Sequence, residues 1–121
     1  MPIPIMCRSM LFFTMLALPA QAQEIQVDPE KGKEVYTMHC AGCHGIQGNG
    51  DGPDAAKLIV PPANFHSPES RAKSEIDLRS AIIWGVAFSP MHGWWDRMNV
   101  EDIRSVTAYI RRLAPYAPST P

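Results

Sequence analysis

Cysteine is scarce in this chain. Three residues in 121 are cysteine, at positions 7, 40 and 43, and none follows. A zinc site built on Cys40 and Cys43 is therefore two donors short of the usual four, and His66 and His92 stand far apart in the sequence. An excess of one charge is also missing. Eleven Lys and Arg face twelve Asp and Glu, for a formal net charge of −1. No basic surface of the kind that neutralises phosphates follows from that balance, so no nucleic-acid partner is expected. No apolar run reaches the ~20 residues of a membrane-spanning helix. Alternating strand-period segments of useful length and internal repeats are absent too, which leaves helical periodicity as the organising signal. Glycine is concentrated between Gly45 and Pro53, but no strand precedes it and no Lys-Ser/Thr follows, so a phosphate loop is a poor reading. Asn49, Asp51 and Asp54 are too few for a calcium loop.

What is present is Cys40-Ala41-Gly42-Cys43-His44. Two thiols separated by two residues can each form a thioether to a haem vinyl group. The histidine directly after the second cysteine then supplies a ring nitrogen to the iron. Small Ala41 and Gly42 let the backbone pass close to a porphyrin edge. A bare Cys-x-x-Cys would be ambiguous between zinc, redox thiols and haem; His44 favours one covalently attached c-type haem, with zinc or redox thiols as the alternatives.

Residues 1–22 read as a secretory signal peptide: Arg8 is basic, Met10–Leu18 is apolar, and Ala20-Gln21-Ala22 is a small-x-small cleavage site. An uncleaved anchor is the alternative. Residues 23–121 then form a single domain, without a transmembrane span in the mature chain. Helices are expected over Pro29 to about Ala41, Ser74–Trp84 and Val100–Ala114, with a short helical turn within Ala55–Val60. Asp28, Ser74 and Asn99 are the N-caps, and Ser74 with Asp77 forms a capping box. Gly32, Val35, Tyr36 and His39 share a stripe on the first helix, with Gly32 suited to a close helix crossing near Tyr109. The middle helix offers Ile76, Ser80, Ile83 and Trp84 as its apolar face, with Leu78 and Ile82 beside them, and Trp84 is read as packing. The last helix offers Ile103, Val106, Tyr109, Ile110 and Leu113. Residues 45–54 are expected to wrap the haem edge, with a carbonyl near Pro53 accepting the second ring N–H of His44. Phe65 suits a haem contact or ordinary core. His66, in a polar Ser67-Pro68 loop, reads as surface.

The stretch Val86 to Trp95 is a loop by its Pro90 and Gly93 and holds the second candidate ligand. Met91 would present a soft thioether to the iron, opposite His44. Met98, His92 or an open position are the alternatives, and Met38 lies on the wrong side of the attachment segment. Met91 as an ordinary packed side chain is the bland alternative. Trp94 and Trp95 suit either a docking patch or core.

Cys40-x-x-Cys43-His44 after an opening helix, a Gly-rich loop, a late Pro90-Met91 and a closing helix together resemble a small monohaem class I cytochrome c of the bacterial periplasmic type. The resemblance covers about Asp28 to Ala114. His92 departs from it, because an apolar residue more often follows the methionine. The resemblance implies an all-α fold with crossed first and last helices around one covalent haem c, one edge of it exposed, and His44/Met91 ligation. It also implies one-electron transfer, not enzymatic turnover, with transient redox protein partners and a periplasmic location. Association with a membrane oxidase or dehydrogenase, as a haem subunit of a larger complex, is a second reading. A haem enzyme or gas-binding protein with an open distal site is a third.

Overall fold

The computed structural model describes residues 24–118, together with Met1 and Ala22. The expected signal peptide at 1–22 lies outside the described residues apart from its two end positions. Among the described residues five α-helices follow one another: α1 (Pro29–His39), α2 (Ala41–His44), α3 (Pro68–Arg71), α4 (Glu75–Trp84) and α5 (Val100–Leu113), with a 3₁₀ turn at Ala55–Lys57. Among the described residues the only strand-like feature is an isolated antiparallel bridge between Gly85 and His92. The architecture is all-α.

The caps account for where the helices begin. Asp28 accepts from Glu30 N–H at 2.9 Å, with Pro29 in the first turn, where its missing N–H costs nothing. Asn99 accepts from Asp102 N–H at 2.8 Å, and Glu101 and Asp102 complement the positive end of α5. The capping box of α4 forms as expected: Ser74 Oγ accepts from Asp77 N–H at 3.2 Å, and Asp77 accepts from Ser74 N–H at 3.0 Å.

The first and last helices cross and pack on each other over most of their length. The crossing is set by Gly32. A Cβ there would fall on the Ser105 carbonyl and within 3.0 Å of Val106 N, so only glycine lets the two backbones approach this closely. Asp28 N–H donates to Ser105 Oγ at 3.1 Å beside the crossing. Tyr109 instead packs on Tyr36, one turn further along α1, with ring centroids 5.3 Å apart. Gly32 thus meets the α5 backbone one turn before Tyr109, because two crossing helices touch most closely where neither side chain intervenes. Lys31 bridges Glu101 and Asp102 at 3.1 and 3.0 Å, and Arg112 pairs with Glu30 at 2.6 Å. These rim pairs are partly to largely exposed and add little beyond orientation. Tyr36, Ile103, Val106, Tyr109 and Ile110 make the dry centre of the crossing.

Three details depart from the sequence expectations, and one reading left open there is divided. The first helix does not run on to Ala41. It stops at His39, and the chain turns at Cys40 (φ −116°, ψ −35°) into the separate α2. Residues 68–71 are not loop but helix: Ser67 accepts from Ser70 N–H and Pro68 opens the turn. On α4 the buried pair is Leu78 and Ile82, one helical turn apart. Ile76 and Trp84 point outward, Trp84 at 72% exposure, because α5 packs on the opposite side of the helix. The two loop tryptophans also divide: Trp94 packs against the core and Trp95 is exposed.

Candidate functional site

The turn at Cys40 gathers the attachment residues. Cys40 N–H closes α1 on the Tyr36 carbonyl at 2.8 Å, and the Cys40 carbonyl accepts from Cys43 N–H at 3.2 Å and His44 N–H at 2.9 Å. Both thiols and the imidazole are therefore held by a single helical turn. The cysteines are free and half-buried. Burial, and then the neighbouring Cys43, push the Cys40 thiol up to about 12, so it stays protonated at neutral pH.

His44 is held from two sides. Its ring stacks on Phe65, with centroids 4.5 Å apart and an interplanar angle of 17°. Its Nδ1 lies 3.1 Å from the Ala63 carbonyl. A carbonyl only accepts, so Nδ1 carries the proton and the lone pair is left on Nε2. Burial lowers the pKa of His44 and outweighs the Ala63 carbonyl, which raises it, so the net direction favours the neutral ring that a metal needs. The sequence placed this carbonyl near Pro53. The structure corrects it to Ala63, because the Gly-rich loop turns its N–H groups, not its carbonyls, toward α2. Gly50 N–H donates to the His44 carbonyl at 2.8 Å, Gly52 N–H to Cys43 at 3.0 Å and Asp54 N–H to Gly42 at 2.9 Å. That loop caps the C-terminal carbonyls of α2. Pro61-Pro62 keeps the next stretch extended, and this brings Ala63 and Phe65 alongside His44.

Tyr36 supports the same turn from below. Its hydroxyl donates to the Gly45 carbonyl at 2.7 Å in a buried site. Burial, more than its neighbours, raises its pKa well above the usual phenol range, so it remains a neutral donor. Neither Tyr36 nor Ala63 was recognised as a site residue from sequence. A backbone carbonyl leaves no side-chain signal, and Tyr36 had been read only as part of a helical stripe.

Met91 is half-buried and packs against the core together with Cys40, Ile83 and Trp94. Its competitors are placed differently. Met98 is core, 8% exposed. Met38 faces outward from α1. His92 is exposed, its ring 4.6 Å from that of Trp94 and its Nε2 3.4 Å from an Arg97 guanidinium nitrogen. His66 is exposed and its Nε2 lies 2.8 Å from the Gln47 carbonyl. His39, also exposed, has its ring 5.2 Å from Trp94.

The donor set fits a c-type haem. Two free thiols and an imidazole with its Nε2 lone pair free share one turn, and a half-buried thioether lies on the loop at 86–95. Among the described residues no group of three or more His, Cys, Asp or Glu side chains is placed to hold a metal ion directly. The large apolar side chains of Trp84, Val86, Phe88 and Trp95 are exposed on the segment that carries Met91, which suits a region that meets a flat apolar group or a partner.

The family model described as Cytochrome c matches residues 29–114, from the first turn of α1 to the end of α5. The chain belongs to the cytochrome c family, and its helical architecture is the class I fold. Its resemblance to small monohaem class I cytochromes is thereby established. Membership implies covalently bound haem c. A chain of the reducing HAO-like protein complex of Kuenenia stuttgartiensis is similar at 29% identity and a TM-score of 0.64, over 75% of this chain and 44% of that one. Cytochrome c6 from the diatom Phaeodactylum tricornutum has the same fold at 22% identity and a TM-score of 0.56, over 72% of this chain and 94% of that one. Cytochrome cL from Hyphomicrobium denitrificans matches at 24% identity and a TM-score of 0.55, over 70% of this chain and 46% of that one. This chain thus spans less than half the length of the Kuenenia and Hyphomicrobium chains. The comparison with curated proteins gives no match. No helix among the described residues is long and apolar enough to cross a membrane.

Proposed function

We propose that the chain is an exported electron-transfer protein carrying one covalent haem c, with residues 1–22 as its signal peptide, 23–121 as its single domain and the periplasm as its location. Cys40 and Cys43 hold the haem through thioethers, His44 Nε2 binds the iron, and Met91 supplies the sixth ligand. When bound, the haem supplies a one-electron iron couple. The observation that carries this reading is the double hold on His44. The Ala63 carbonyl fixes its tautomer and Phe65 fixes its plane, directly after two free thiols on the same turn.

The protein's own contribution is rigidity. Phe65 and Ala63 keep the imidazole from rotating. Tyr36 and the loop at 45–54 tie down the backbone of α2 from both sides. With His44 and Met91 held by the chain, a bound haem would suit electron exchange with transient redox protein partners at a small interface. Carriage inside a larger assembly is the second reading, favoured by the likeness to a chain of a Kuenenia stuttgartiensis protein complex at 29% identity.

The test is the optical spectrum of the protein expressed with a c-haem maturation system. The expected result is haem that resists extraction, low-spin in both redox states, with a weak far-red sulfur-to-iron band when oxidised. Colourless protein overturns the haem reading. High-spin iron without the band would mean an open site and a gas-binding or enzymatic role. Low-spin iron without the band would move the sixth ligand to His92.

A further inference from the structure

The loop that carries Met91 is closed on itself by one side chain. Met91 N–H donates to Ser89 Oγ at 3.2 Å, and Ser89 Oγ–H donates to the Val86 carbonyl at 2.9 Å. Val86 N–H in turn donates to the Met91 carbonyl at 2.9 Å. Both main-chain polar groups of Met91 are therefore engaged within its own loop. They lie on the two peptide planes that flank its Cα, so holding both fixes φ and ψ, and with them the direction of the Cα–Cβ bond. Pro90 cannot share this task, because it has no N–H to donate. Next to this ring, Phe88 is fully exposed at the tip with φ 59°. A left-handed conformation is disfavoured in a non-glycine residue, so the tip is held in place against its own preference.

We infer that Ser89 is a positioning residue for the thioether of Met91: its hydroxyl, as acceptor from Met91 and donor to Val86, keeps the sulfur aimed in one direction. This rests on the reading of Met91 as the sixth ligand. An iron–thioether bond is weak, so its persistence depends on how narrowly the protein restricts the sulfur. Removal of the hydroxyl frees Met91 N–H to water and loosens φ of Met91, while the Val86 carbonyl keeps its bond from Ser89 N–H at 3.3 Å and the Met91 carbonyl its bond from Val86 N–H at 2.9 Å. The iron's own chemistry is unchanged; the population with the sulfur displaced rises.

The test is the binding of free imidazole to the oxidised, haem-loaded protein, followed by loss of the far-red band. Ser89→Ala should bind imidazole about fivefold more tightly than the unmutated protein, which at 1.4 kcal/mol per factor of ten is about 1 kcal/mol, the net contribution of one hydrogen bond. Ser89→Thr, which keeps the hydroxyl, should restore the original affinity. Ser67→Ala, which removes the cap of α3, controls for general destabilisation and should leave imidazole binding unmoved. A far-red band in the unmutated protein with equal affinities for Ser89→Ala and Ser67→Ala overturns the role of Ser89 alone. Absence of the band from the unmutated protein overturns the ligand reading first, and this inference with it. A second measurement needs no substitution. In the haem-loaded protein the Met91 amide should exchange with solvent more slowly than that of Phe88 at the tip, and equal rates overturn the inference.

Discussion

The ring of His44 lies flat against that of Phe65, centroids 4.5 Å apart, while its Nδ1 faces the Ala63 carbonyl two residues earlier in the same extended stretch. One segment thus sets both the plane and the tautomer of the imidazole. Phe65 also reaches the buried centre, with its ring centroid 6.4 Å from that of Tyr36. Phe65→Ala should therefore have two effects in the haem-loaded protein. Unfolding by denaturant should show a loss of about 3 kcal/mol, the usual cost of removing a buried phenyl ring. If His44 holds the iron as proposed, the reduction potential should shift as well, because the ring loses the stack that fixes its plane. A stability loss with an unmoved potential would show that Phe65 is core and nothing more.

Gly32 allows a prediction whose sign separates two effects. Helix propensity alone says that Gly32→Ala gains about 1 kcal/mol in the middle of α1. The crossing says the opposite, because the new methyl would meet the backbone carbonyl of Ser105 and neither helix can yield a side chain to make room. Overpacking against backbone should win, with a net loss of about 2 kcal/mol in denaturant unfolding of the haem-loaded protein. A gain in stability would show that α1 and α5 slide apart without penalty.

These two positions also show how far the chain can be read without coordinates. Gly32 was legible as a helix crossing, and Ser74 with Asp77 as a capping box, because both signals are local and carried by residue type. Cys40-x-x-Cys43-His44 was legible for the same reason. The partner of His44 was not. It is a backbone carbonyl brought in by Pro61-Pro62, and any residue at position 63 offers the same atom. Trp84 was misjudged because helical periodicity ranks residues by apolarity, whereas α5 selects the face that carries Leu78 and Ile82. The short α3 escaped notice because Ser67-Pro68 signals a turn and a helix start equally well.

The capping box of α4 makes a prediction about acid. Hydrogen bonds from the Ser74 hydroxyl, then from its backbone N–H, hold the Asp77 carboxyl below its ordinary value. A depressed pKa in the folded state means that the carboxylate's contribution is complete above its unfolded value of about 4 and is lost as pH falls through the folded value. Asp77→Asn should therefore be less stable than the unmutated protein at neutral pH, and the gap should narrow below about pH 4. Glu69 is held low too, first by its own backbone N–H and then by the Ser67 hydroxyl, so the comparison between variants isolates Asp77. Ser74→Ala removes the cap from the other side and should cost about 1 kcal/mol. A gap for Asp77→Asn that stays constant with pH would show that the carboxylate's charge is irrelevant there.

Two methionines close to each other in sequence should respond oppositely to truncation. Met98 is buried among the core residues, and its N–H donates to the Trp94 carbonyl at 3.0 Å. Met91 is half-buried in a loop closed by Ser89. Met98→Ala should lower the stability of the haem-loaded protein by about 2–3 kcal/mol, as core truncations do, and leave the far-red band of the oxidised form intact. Met91→Ala should abolish the band and lower the reduction potential, since loss of a soft sulfur ligand disfavours the reduced iron. Its effect on packing should be smaller, because the site is partly exposed already. Measured together, the two variants separate ligation from packing. If Met98→Ala removes the band instead, the sixth ligand belongs to the start of α5 and the loop at 86–92 is only a cover. If both variants keep the band, neither of these two methionines is the ligand.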